Sequence, residues 1–319
     1  MKRVLVTGAT GFLGRRAMSV LAEHGFDPIG TGRRSDAAPK GFSFIGADLS
    51  LPATLDNLPE VDAIVHCAAR SAPWGRLADF EQDNVQATEN LLRWAESRGV
   101  ARFVHISTPA LYFDFRDQFD VSESTAQGPF INHYAATKAK AERRVLASSI
   151  PSVILRPRAI YGPGDQALLP RLERAIRAGP LPLIRRGAAV TNLTHVDDVC
   201  AAIVASLKPT SVPAAYNIAG AEAVRLTELV EQIAERRKLA LRWRPVPVPV
   251  LLGAARGLEG AYRLLRLEGE PRFTRYSIGI FAFSLTLNTD LARKTIGWTA
   301  TVPIQVGIED ALHAPRNGR

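Results

Sequence analysis

The sequence contains only two cysteines in 319 residues, Cys67 and Cys200. They have no metal-binding or redox spacing, which excludes a disulfide framework and favours a reduced, cytoplasmic setting with both thiols buried. None of the six histidines stands at metal-ligand spacing from a cysteine or an acid, so we expect no metal site. No apolar run approaches the roughly 18 residues of a membrane span, which argues against stable membrane insertion. Because the chain starts directly with a strand pattern, no signal peptide is expected.

Acidic residues are also in deficit, with 31 Asp and Glu against 40 Lys and Arg and a net charge of +9. The excess is concentrated in residues 225–275, which contain eleven basic residues and six glutamates. A solvated basic surface accounts for this pattern, and the alternatives are an anionic substrate or carrier, or association with a membrane surface. No nucleic-acid-binding motif accompanies the charge, so we expect no nucleic-acid partner.

The start of the chain contains a glycine-rich turn between a strand and a helix. Residues 4–6 form an apolar run typical of a buried strand, and a helical pattern covers residues 15–23. The intervening turn, T-G-A-T-G-F-L-G, lets the backbone approach phosphates, while the helix N-terminus supplies free N–H groups and a positive dipole end. This context predicts a dinucleotide-binding loop whose cofactor contacts are Gly8, Thr10, Gly11, Phe12, Leu13 and Gly14.

Strand and helix patterns alternate through the first half, as in a parallel sheet covered by helices on both faces. The predicted strands are 2–7, 28–31, 43–46, 63–66, 102–107 and 152–156, and the helices among them are 15–23, 79–98 and 134–148. Further helices are predicted at 168–178, 226–237, 250–267, 290–296 and 304–312. We therefore predict a Rossmann-type, doubly wound α/β domain of residues 1–157 and 193–218. A smaller, discontinuous α/β substrate domain would comprise residues 158–192 and 219–319.

A tyrosine and a lysine open the helix predicted at 134–148. Tyr134 and Lys138 are four residues apart and therefore share one helix face, and Thr108 follows a predicted strand upstream. Such a group can carry reversible hydride chemistry, in which Tyr134 exchanges a proton with a carbonyl oxygen that Thr108 holds in place. Free tyrosine has a pKa of ~10. We expect the Lys138 ammonium and an oxidised nicotinamide ring to lower it.

The second predicted strand ends in I-G-T-G-R-R, residues 29–34, and lacks the acid that grips the ribose hydroxyls of NAD. Arg33 and Arg34 can hold a 2′-phosphate through charge-assisted hydrogen bonds. NADP(H) is therefore favoured. NAD(H) is the alternative, in which these arginines stack on adenine or face water.

Over nearly its whole length, the chain resembles the extended short-chain dehydrogenase/reductase superfamily, which includes the NAD-dependent epimerases and dehydratases. The segments that carry the resemblance are 7–14, 48–49, 66–69, 84–88, 107–112, 134–138, 156–157, 161–164 and 195–199. The resemblance implies that Asp48 and Leu49 lie near the adenine and that Ala68 and Ala69 line the cofactor. It also implies that Lys138 binds the nicotinamide ribose beside Tyr134, with Pro157 and Ile160 near the nicotinamide. Members often pair through helices equivalent to 79–98 and 134–148, so a homodimer is a further expectation.

Within the superfamily, segments 156–164, 193–198 and 273–298 look closest to the 3β-hydroxysteroid dehydrogenases and bacterial 3-oxoalkanoate reductases. Nucleotide-sugar epimerases and dehydratases are an alternative, against which the missing acid and Ala159 argue, since sugar enzymes commonly carry asparagine there. Plant-type, NADPH-dependent ketone and aldehyde reductases are a second alternative. A non-catalytic dinucleotide-binding regulator remains the last alternative, and the presence of Thr108, Tyr134 and Lys138 argues against it.

Aromatic residues around the predicted catalytic group indicate an apolar pocket and a hydrophobic, steroid-, fatty- or polyketide-like substrate. The predicted substrate-binding residues are Trp74, Thr108, Phe113, Phe130 and Tyr161; Phe115, Phe119 and the apolar helix 250–267 are further candidates. That helix is expected to act as a substrate lid or a core element, and its charges leave surface association open. The segment His195–Asp198 lacks an accompanying nucleophile elbow, so we predict a role in domain packing.

Overall fold

The computed structural model describes residues 2–208 and 214–313. In chain order, the strands are β1 Arg3–Thr7, β2 Asp27–Gly32, β3 Ser43–Gly46, β4 Ala63–His66, β5 Arg102–Ile106, β6 Gln118–Val121, β7 Ser152–Pro157, β8 Ile160–Tyr161, β9 Leu181–Leu183, β10 Val190–Asn192, β11 Thr194–His195, β12 Ala215–Ile218, β13 Ala223–Arg225, β14 Trp243–Pro245 and β15 Leu285–Leu287. The α-helices are α1 Phe12–Glu23, α2 Pro52–Leu55, α3 Leu77–Phe80, α4 Ala87–Ser97, α5 His133–Ala147, α6 Leu168–Arg177, α7 Val196–Ser206, α8 Leu226–Arg236, α9 Val248–Leu264, α10 Arg275–Ala282, α11 Asp290–Ile296 and α12 Ile304–His313. Short 3₁₀ turns span Ser35–Ala37, Pro109–Leu111 and Arg185–Gly187.

Seven strands form one sheet in the order β12-β7-β5-β4-β1-β2-β3, and every neighbouring pair is parallel. The central strands are apolar along their length because both faces of the sheet are covered. Side chains alternate between the faces: Val4 and Val6 of β1 pack toward α1 and α7, whereas Leu5 packs toward α4 and α5. The prediction of a Rossmann-type, doubly wound α/β fold is confirmed.

A second, mixed sheet has the order β13-β10-β15-β6. β6 lies within the predicted dinucleotide-binding domain but pairs with β15, and Trp298, from the predicted substrate domain, packs in the core beside α7. As predicted for residues 193–218, α7 and β12 return to the seven-stranded sheet. The chain therefore crosses between the two regions more often than the pattern predicts, and the exact domain division stays a prediction.

Two helices near the cofactor loop differ from their predicted limits. α1 begins at Phe12 rather than at residue 15, because Gly11 is extended and its carbonyl already accepts the Arg15 N–H at 3.0 Å. The helix predicted at 79–98 is divided by a wider π-helical turn, Glu81–Gln86, between α3 and α4. Phe12 and Leu13 therefore lie in the first turn of α1, next to the free N–H groups that bind phosphate.

α9 is apolar yet largely exposed. Only Ala255 and Glu259 are buried, whereas Leu264 is 83% exposed. The inner face of α9 packs against Ile278 and Ala282 of α10, which accounts for its position at the edge of the second region. Within residues 2–208 and 214–313, none of the helices is both long and apolar enough to cross a membrane.

We expect Asp198→Ala to lower the free energy of unfolding by about 1–3 kcal/mol. The buried Asp198 carboxylate accepts hydrogen bonds from Thr301 N at 2.8 Å and from Val302 N at 3.4 Å, which ties α7 to the segment after α11. This agrees with the packing role predicted for residues 195–198. Chemical denaturation measures the change. Asp197→Ala is the matched control and should cost less than about 1 kcal/mol, since its pair with Arg16 is partly exposed. Equal losses in both variants would contradict the assignment.

Candidate active site

The glycine turn after β1 is packed too closely for side chains. Gly8 has φ +64°, and a Cβ built there would lie 2.8 Å from the Ala68 nitrogen. A Cβ on Gly14 would lie 2.3 Å from the Gly8 carbonyl oxygen. The Ala68 N–H donates to Thr7 Oγ1 at 3.1 Å, so the turn at Ala68-Ala69 lies directly against the loop. The two segments predicted to line the cofactor therefore meet at the carboxyl edge of β1 and β4.

Arginines surround the carboxyl end of β2. Arg33 and Arg34 are both exposed there, and the Arg33 guanidinium lies 3.3 Å from the Asp83 carboxylate, which Arg70 also contacts at 2.8 Å. This pairing connects the end of β2 to the π-helical turn and borders the region where the adenine end of a dinucleotide is expected.

Asp48 and Leu49, both predicted near the adenine, follow β3. The Asp48 carboxylate is occupied locally, accepting hydrogen bonds from the Ser50 N–H at 3.0 Å and the Ser50 hydroxyl at 2.8 Å. Leu49 is buried in the sheet core beneath it. Asp48 therefore acts on the conformation of this turn, and any contact with adenine would come from the surface that the turn presents.

Tyr134 and Thr108 come together at the carboxyl edge of β5. α5 starts where the Asn132 side chain accepts the Ala135 N–H at 2.8 Å, which places Tyr134 in its first turn. Burial raises the pKa of Tyr134 to about 12, and hydrogen bonding by the neighbouring Thr108 side chain opposes this rise. The proton donor and the carbonyl-binding hydroxyl predicted from the sequence are thus adjacent.

Lys138 points into the protein. Its side chain is 1% exposed, and Nζ donates to the Ile106 carbonyl at 2.7 Å and contacts His105 Nε2 at 3.0 Å. Burial lowers the pKa of Lys138 to about 8, although the Glu142 carboxylate acts in the opposite direction. The structure differs here from the expectation that Lys138 lowers the pKa of Tyr134, because the ammonium is directed to Ile106 and His105, and burial, Thr108 and Tyr276 set the pKa of the phenol.

Two histidines missed by the sequence analysis lie beneath Lys138. Burial lowers the pKa of His66 to about 3 and that of His105 well below its ordinary value, and the nearby ammonium adds to both effects. His66 is held between Thr7 at 2.7 Å and Thr88 at 3.0 Å. Both imidazoles are therefore neutral at physiological pH, and Lys138 carries the charge of this group. Strand-end histidines gave no signal that distinguishes them from ordinary core residues.

A buried ion pair positions α5 against the sheet. Arg156 of β7 forms two hydrogen bonds with the Glu142 carboxylate, at 2.9 and 2.6 Å, and a third with the Tyr112 hydroxyl. Tyr112 in turn donates to Asn217 of β12 at 3.1 Å. These contacts fix the register of α5 relative to β7 and so the position of Tyr134 relative to Thr108.

An aromatic cluster borders the second region. Phe113 is buried and stands perpendicular to Tyr276 and Phe115, with ring centroids 6.1 and 5.4 Å apart. Tyr276, in the first turn of α10, also acts electrostatically on Tyr134 and raises its pKa. The sequence analysis did not select Tyr276. The capping box of Thr274 and Ser277, which starts the helix there, was the available signal.

Trp74 and Phe130 occupy loops beside the site. Trp74 meets Tyr262 edge-on with centroids 6.4 Å apart, and the Arg263 guanidinium lies 5.1 Å above its ring. α9 therefore covers the segment that follows β4. Phe130 is half-buried in the loop before α5.

Other predicted pocket residues lie elsewhere. The structure does not bring Tyr161 to the catalytic group: its ring packs edge-on against His195, and a Cβ on Gly307 would lie 2.4 Å from its hydroxyl. It is enclosed because α12 packs directly on β8. Phe119 is 62% exposed on β6, since the outer face of that strand is open to solvent.

Pro157 and Ile160, predicted near the nicotinamide, flank the carboxyl end of β7. Pro157 is buried as the last residue of that strand, and Ile160 is half-buried against the core beneath α1 and α7.

Both cysteines are free thiols whose pKa values are raised by burial, that of Cys67 to about 12. Over the described ranges, no group of three His, Cys, Asp or Glu side chains is arranged to hold a metal ion.

We expect kcat/KM to fall above pH about 8, because the Lys138 ammonium then loses its proton. This prediction follows from the expectation that Lys138 binds the nicotinamide ribose in its charged form. In Lys138→Arg the alkaline decline should move upward by about one pH unit or more, since a guanidinium keeps its charge. Measuring kcat/KM from about pH 6 to 10 in both proteins checks this, and superimposable profiles would assign the decline to another group.

Comparison with known proteins now identifies the family. Residues 4–219 match the model of the NAD dependent epimerase/dehydratase family. A 2-alkyl-3-oxoalkanoate reductase of Stenotrophomonas maltophilia is 33% identical over 96% of this chain and 97% of that protein. A 4-hydroxy-2-methyl-3-oxo-4-farnesyl-3,4-dihydroquinoline-1-oxide ketoreductase of Stigmatella aurantiaca is 31% identical over 97% and 95%. Among solved structures, MoeE5 in complex with UDP-glucose and NAD is 26% identical with a TM-score of 0.76, covering 97% of each chain. The chain therefore belongs to the NAD dependent epimerase/dehydratase family and, with it, to the NAD(P)-dependent short-chain dehydrogenase/reductase enzymes.

Proposed function

We propose that the protein is an NADP(H)-dependent oxidoreductase that interconverts a secondary alcohol and a ketone on a hydrophobic substrate. The observation that carries this proposal is the placement of Tyr134, in the first turn of α5, beside Thr108, which follows β5 at the carboxyl edge of the sheet. Thr108 can bind the carbonyl oxygen while Tyr134 supplies or removes its proton. When bound, the nicotinamide supplies or accepts the hydride.

The protonation state of Tyr134 supports reduction as the working direction. With a pKa of about 12, its phenol keeps the proton at neutral pH. A protonated phenol is ready to donate to the oxygen of a ketone as negative charge develops there. Oxidation requires the phenolate, whose formation is favoured by the positive ring of an oxidised nicotinamide.

The cofactor preference rests on the end of β2. Arg33 and Arg34 are exposed at this position, where a guanidinium can contact a 2′-phosphate. Gly8, Gly11 and Gly14 bring the backbone close enough for the diphosphate to contact the start of α1. MoeE5 was solved with NAD, so nicotinamide dinucleotide binding has wider support than the choice of NADP(H).

The substrate class is supported by the aromatic cluster around Tyr276 and by the names of the relatives. A 2-alkyl-3-oxoalkanoate reductase and a quinoline-oxide ketoreductase both act on ketones of lipophilic molecules. A 3-oxo or 3-hydroxy compound of fatty, polyketide or steroid type fits this setting. The complex of MoeE5 with UDP-glucose supports the alternative, a nucleotide-sugar epimerase or dehydratase.

Assembly and location are further proposals. α5 and the helical segment α3–α4 pack against each other and form a surface through which two copies can pair. The exposed Leu264 at the end of α9, Leu265 and Leu267 just after it, and the arginines of this segment support contact with a lipid surface in an otherwise cytoplasmic protein.

The test is NADPH oxidation across a panel of hydrophobic ketones that includes 3-oxoacyl compounds and 3-oxosteroids, with UDP-glucose as the competing substrate class. Turnover of a ketone class supports the proposal and defines the pocket. Conversion of UDP-glucose without ketone turnover would replace it with the sugar-nucleotide alternative. Tight NADPH binding without turnover of either class would indicate a binding protein.

A further inference from the structure

Arg158 is a buried arginine without an acidic partner. It follows β7 directly and is 8% exposed, and its Nε donates to Thr191 Oγ1 at 3.0 Å. Among residues 2–208 and 214–313, no carboxylate pairs with Arg158, and its two terminal nitrogens make no hydrogen bond. Arg156, two residues earlier and equally buried, has Glu142 as its counter-ion. Burying a cation unpaired is costly, so such a group implies a partner that arrives with a ligand.

The surroundings of Arg158 place it on the substrate side of the site. Its backbone is fixed, since the Arg158 N–H donates to the Ile218 carbonyl at 2.9 Å. Thr191, on β10, and Tyr276, on α10, both belong to the second region. Tyr276 interacts electrostatically with Arg158 on one side and with Tyr134 on the other. β5, which Thr108 follows, and β7, which Arg158 follows, are neighbouring parallel strands, so Thr108 and Arg158 lie at the same edge of the sheet.

We propose that Arg158 binds the carboxylate of the substrate, so that the preferred ketones are oxo acids with an apolar tail rather than neutral ketones. This inference rests on the proposed function and narrows its substrate class. Arg158 Nε is already bonded to Thr191, and the two terminal nitrogens remain free. These two nitrogens can bind a carboxylate through two parallel hydrogen bonds. The partly buried rings of Phe115 and Phe283, in the same cluster as Tyr276, offer an apolar surface for the alkyl tail.

The test uses stable substrates in the oxidation direction, 3-hydroxydecanoate and its methyl ester, with NADP⁺ at neutral pH. The two molecules have the same alcohol and tail, and only the acid carries a charge. In the natural protein, we expect the KM of the acid to be about 10- to 100-fold below that of the ester. Arg158→Met should remove this difference by raising the KM of the acid, with the kcat/KM of the ester unchanged. Arg158→Lys should recover part of the KM difference between acid and ester, since an ammonium keeps the charge but cannot form the bidentate pair of a guanidinium.

Arg171→Gln, an exposed arginine paired with Glu270, is the matched control and should behave as the natural protein does. A second measurement, the rise in Tm that 3-hydroxydecanoate causes in the cofactor-bound protein, reports binding without turnover. The rise should disappear in Arg158→Met. Arg158→Met should itself fold at least as stably as the natural protein, because an unpaired buried charge is removed.

The failures can be distinguished. Equal kcat/KM for acid and ester, or an acid KM that Arg158→Met leaves unchanged, overturns the role of Arg158 while leaving the alcohol–ketone activity standing. Absence of turnover both with these two molecules and across the ketone panel overturns the proposed function, and the Tm measurement then still decides whether Arg158 binds the acid. A Tm rise that depends on Arg158 with uridine diphosphate but not with the acid overturns the carboxylate in favour of a diphosphate.

Discussion

Tyr134→Phe is expected to lower kcat by about 10²- to 10⁴-fold, the usual contribution of a positioned acid–base group. The substitution removes one oxygen and leaves the ring, so the start of α5 and the contact with Tyr276 are retained. The Kd of NADPH should change by less than about threefold, because we expect the glycine loop and the end of β2 to make most of the contacts with the cofactor. Steady-state kinetics gives kcat, and quenching of protein fluorescence by NADPH gives Kd.

Tyr216→Phe is the control for this experiment. Tyr216 is fully buried in the core beneath α1 and α7, where its hydroxyl bonds to Thr295. Loss of that hydroxyl can lower stability but should leave kcat within about twofold. If Tyr134→Phe retains turnover at the level of Tyr216→Phe, the phenol takes no part in proton transfer, and Thr108 or a water molecule must supply the proton.

The double variant Arg33→Ala with Arg34→Ala should weaken NADPH binding by about 10²- to 10⁴-fold while NADH binding changes by less than about fivefold. Each charge-assisted hydrogen bond to a phosphate contributes about 1.5–3 kcal/mol, and only NADPH carries the 2′-phosphate. The ion pair of Arg33 with Asp83 competes with the phosphate. Arg33→Ala alone should therefore cost less than half of the double change.

Both Kd values are measured by fluorescence titration at low and at raised salt. The contribution of the 2′-phosphate contact is recognised by its salt dependence, because a surface phosphate contact weakens with ionic strength. Arg225→Ala, an exposed arginine on the second sheet with an i,i+3 partner, is the charge-matched control. Equal weakening of NADH and NADPH in the double variant would reverse the cofactor preference and assign both arginines to the adenine or to solvent.

Local sequence predicted the parts of the site that a few neighbouring residues determine. The glycine loop was recognisable because only glycine fits where a Cβ would lie 2.8 Å or less from the backbone. Tyr134 and Lys138 were placed on one helix face by their spacing alone. The start of α1 was misplaced by three residues, because Gly11 is extended and its carbonyl already accepts the Arg15 N–H.

Contacts between distant segments could not be predicted in this way. Tyr276 and Arg158 are separated from Tyr134 along the chain, and their surroundings depend on the packing of the second region, as in the hydrogen bond from Arg158 to Thr191 of β10. The same holds for the inward turn of Lys138 toward His105. The burial of Tyr161 also depends on packing between distant segments, since α12, near the C-terminal end of the chain, packs directly on its hydroxyl.

By itself, the sequence determined the fold class, the position of the glycine turn after β1 and the spacing of Tyr134 and Lys138, because these follow from local spacing and hydrophobic periodicity. Only the tertiary structure decided the electrostatics of the site. Burial raised the pKa of Tyr134 and lowered that of Lys138, against the prediction from charge proximity alone. Desolvation depends on everything packed around a group, and that environment is assembled from segments that no local pattern connects.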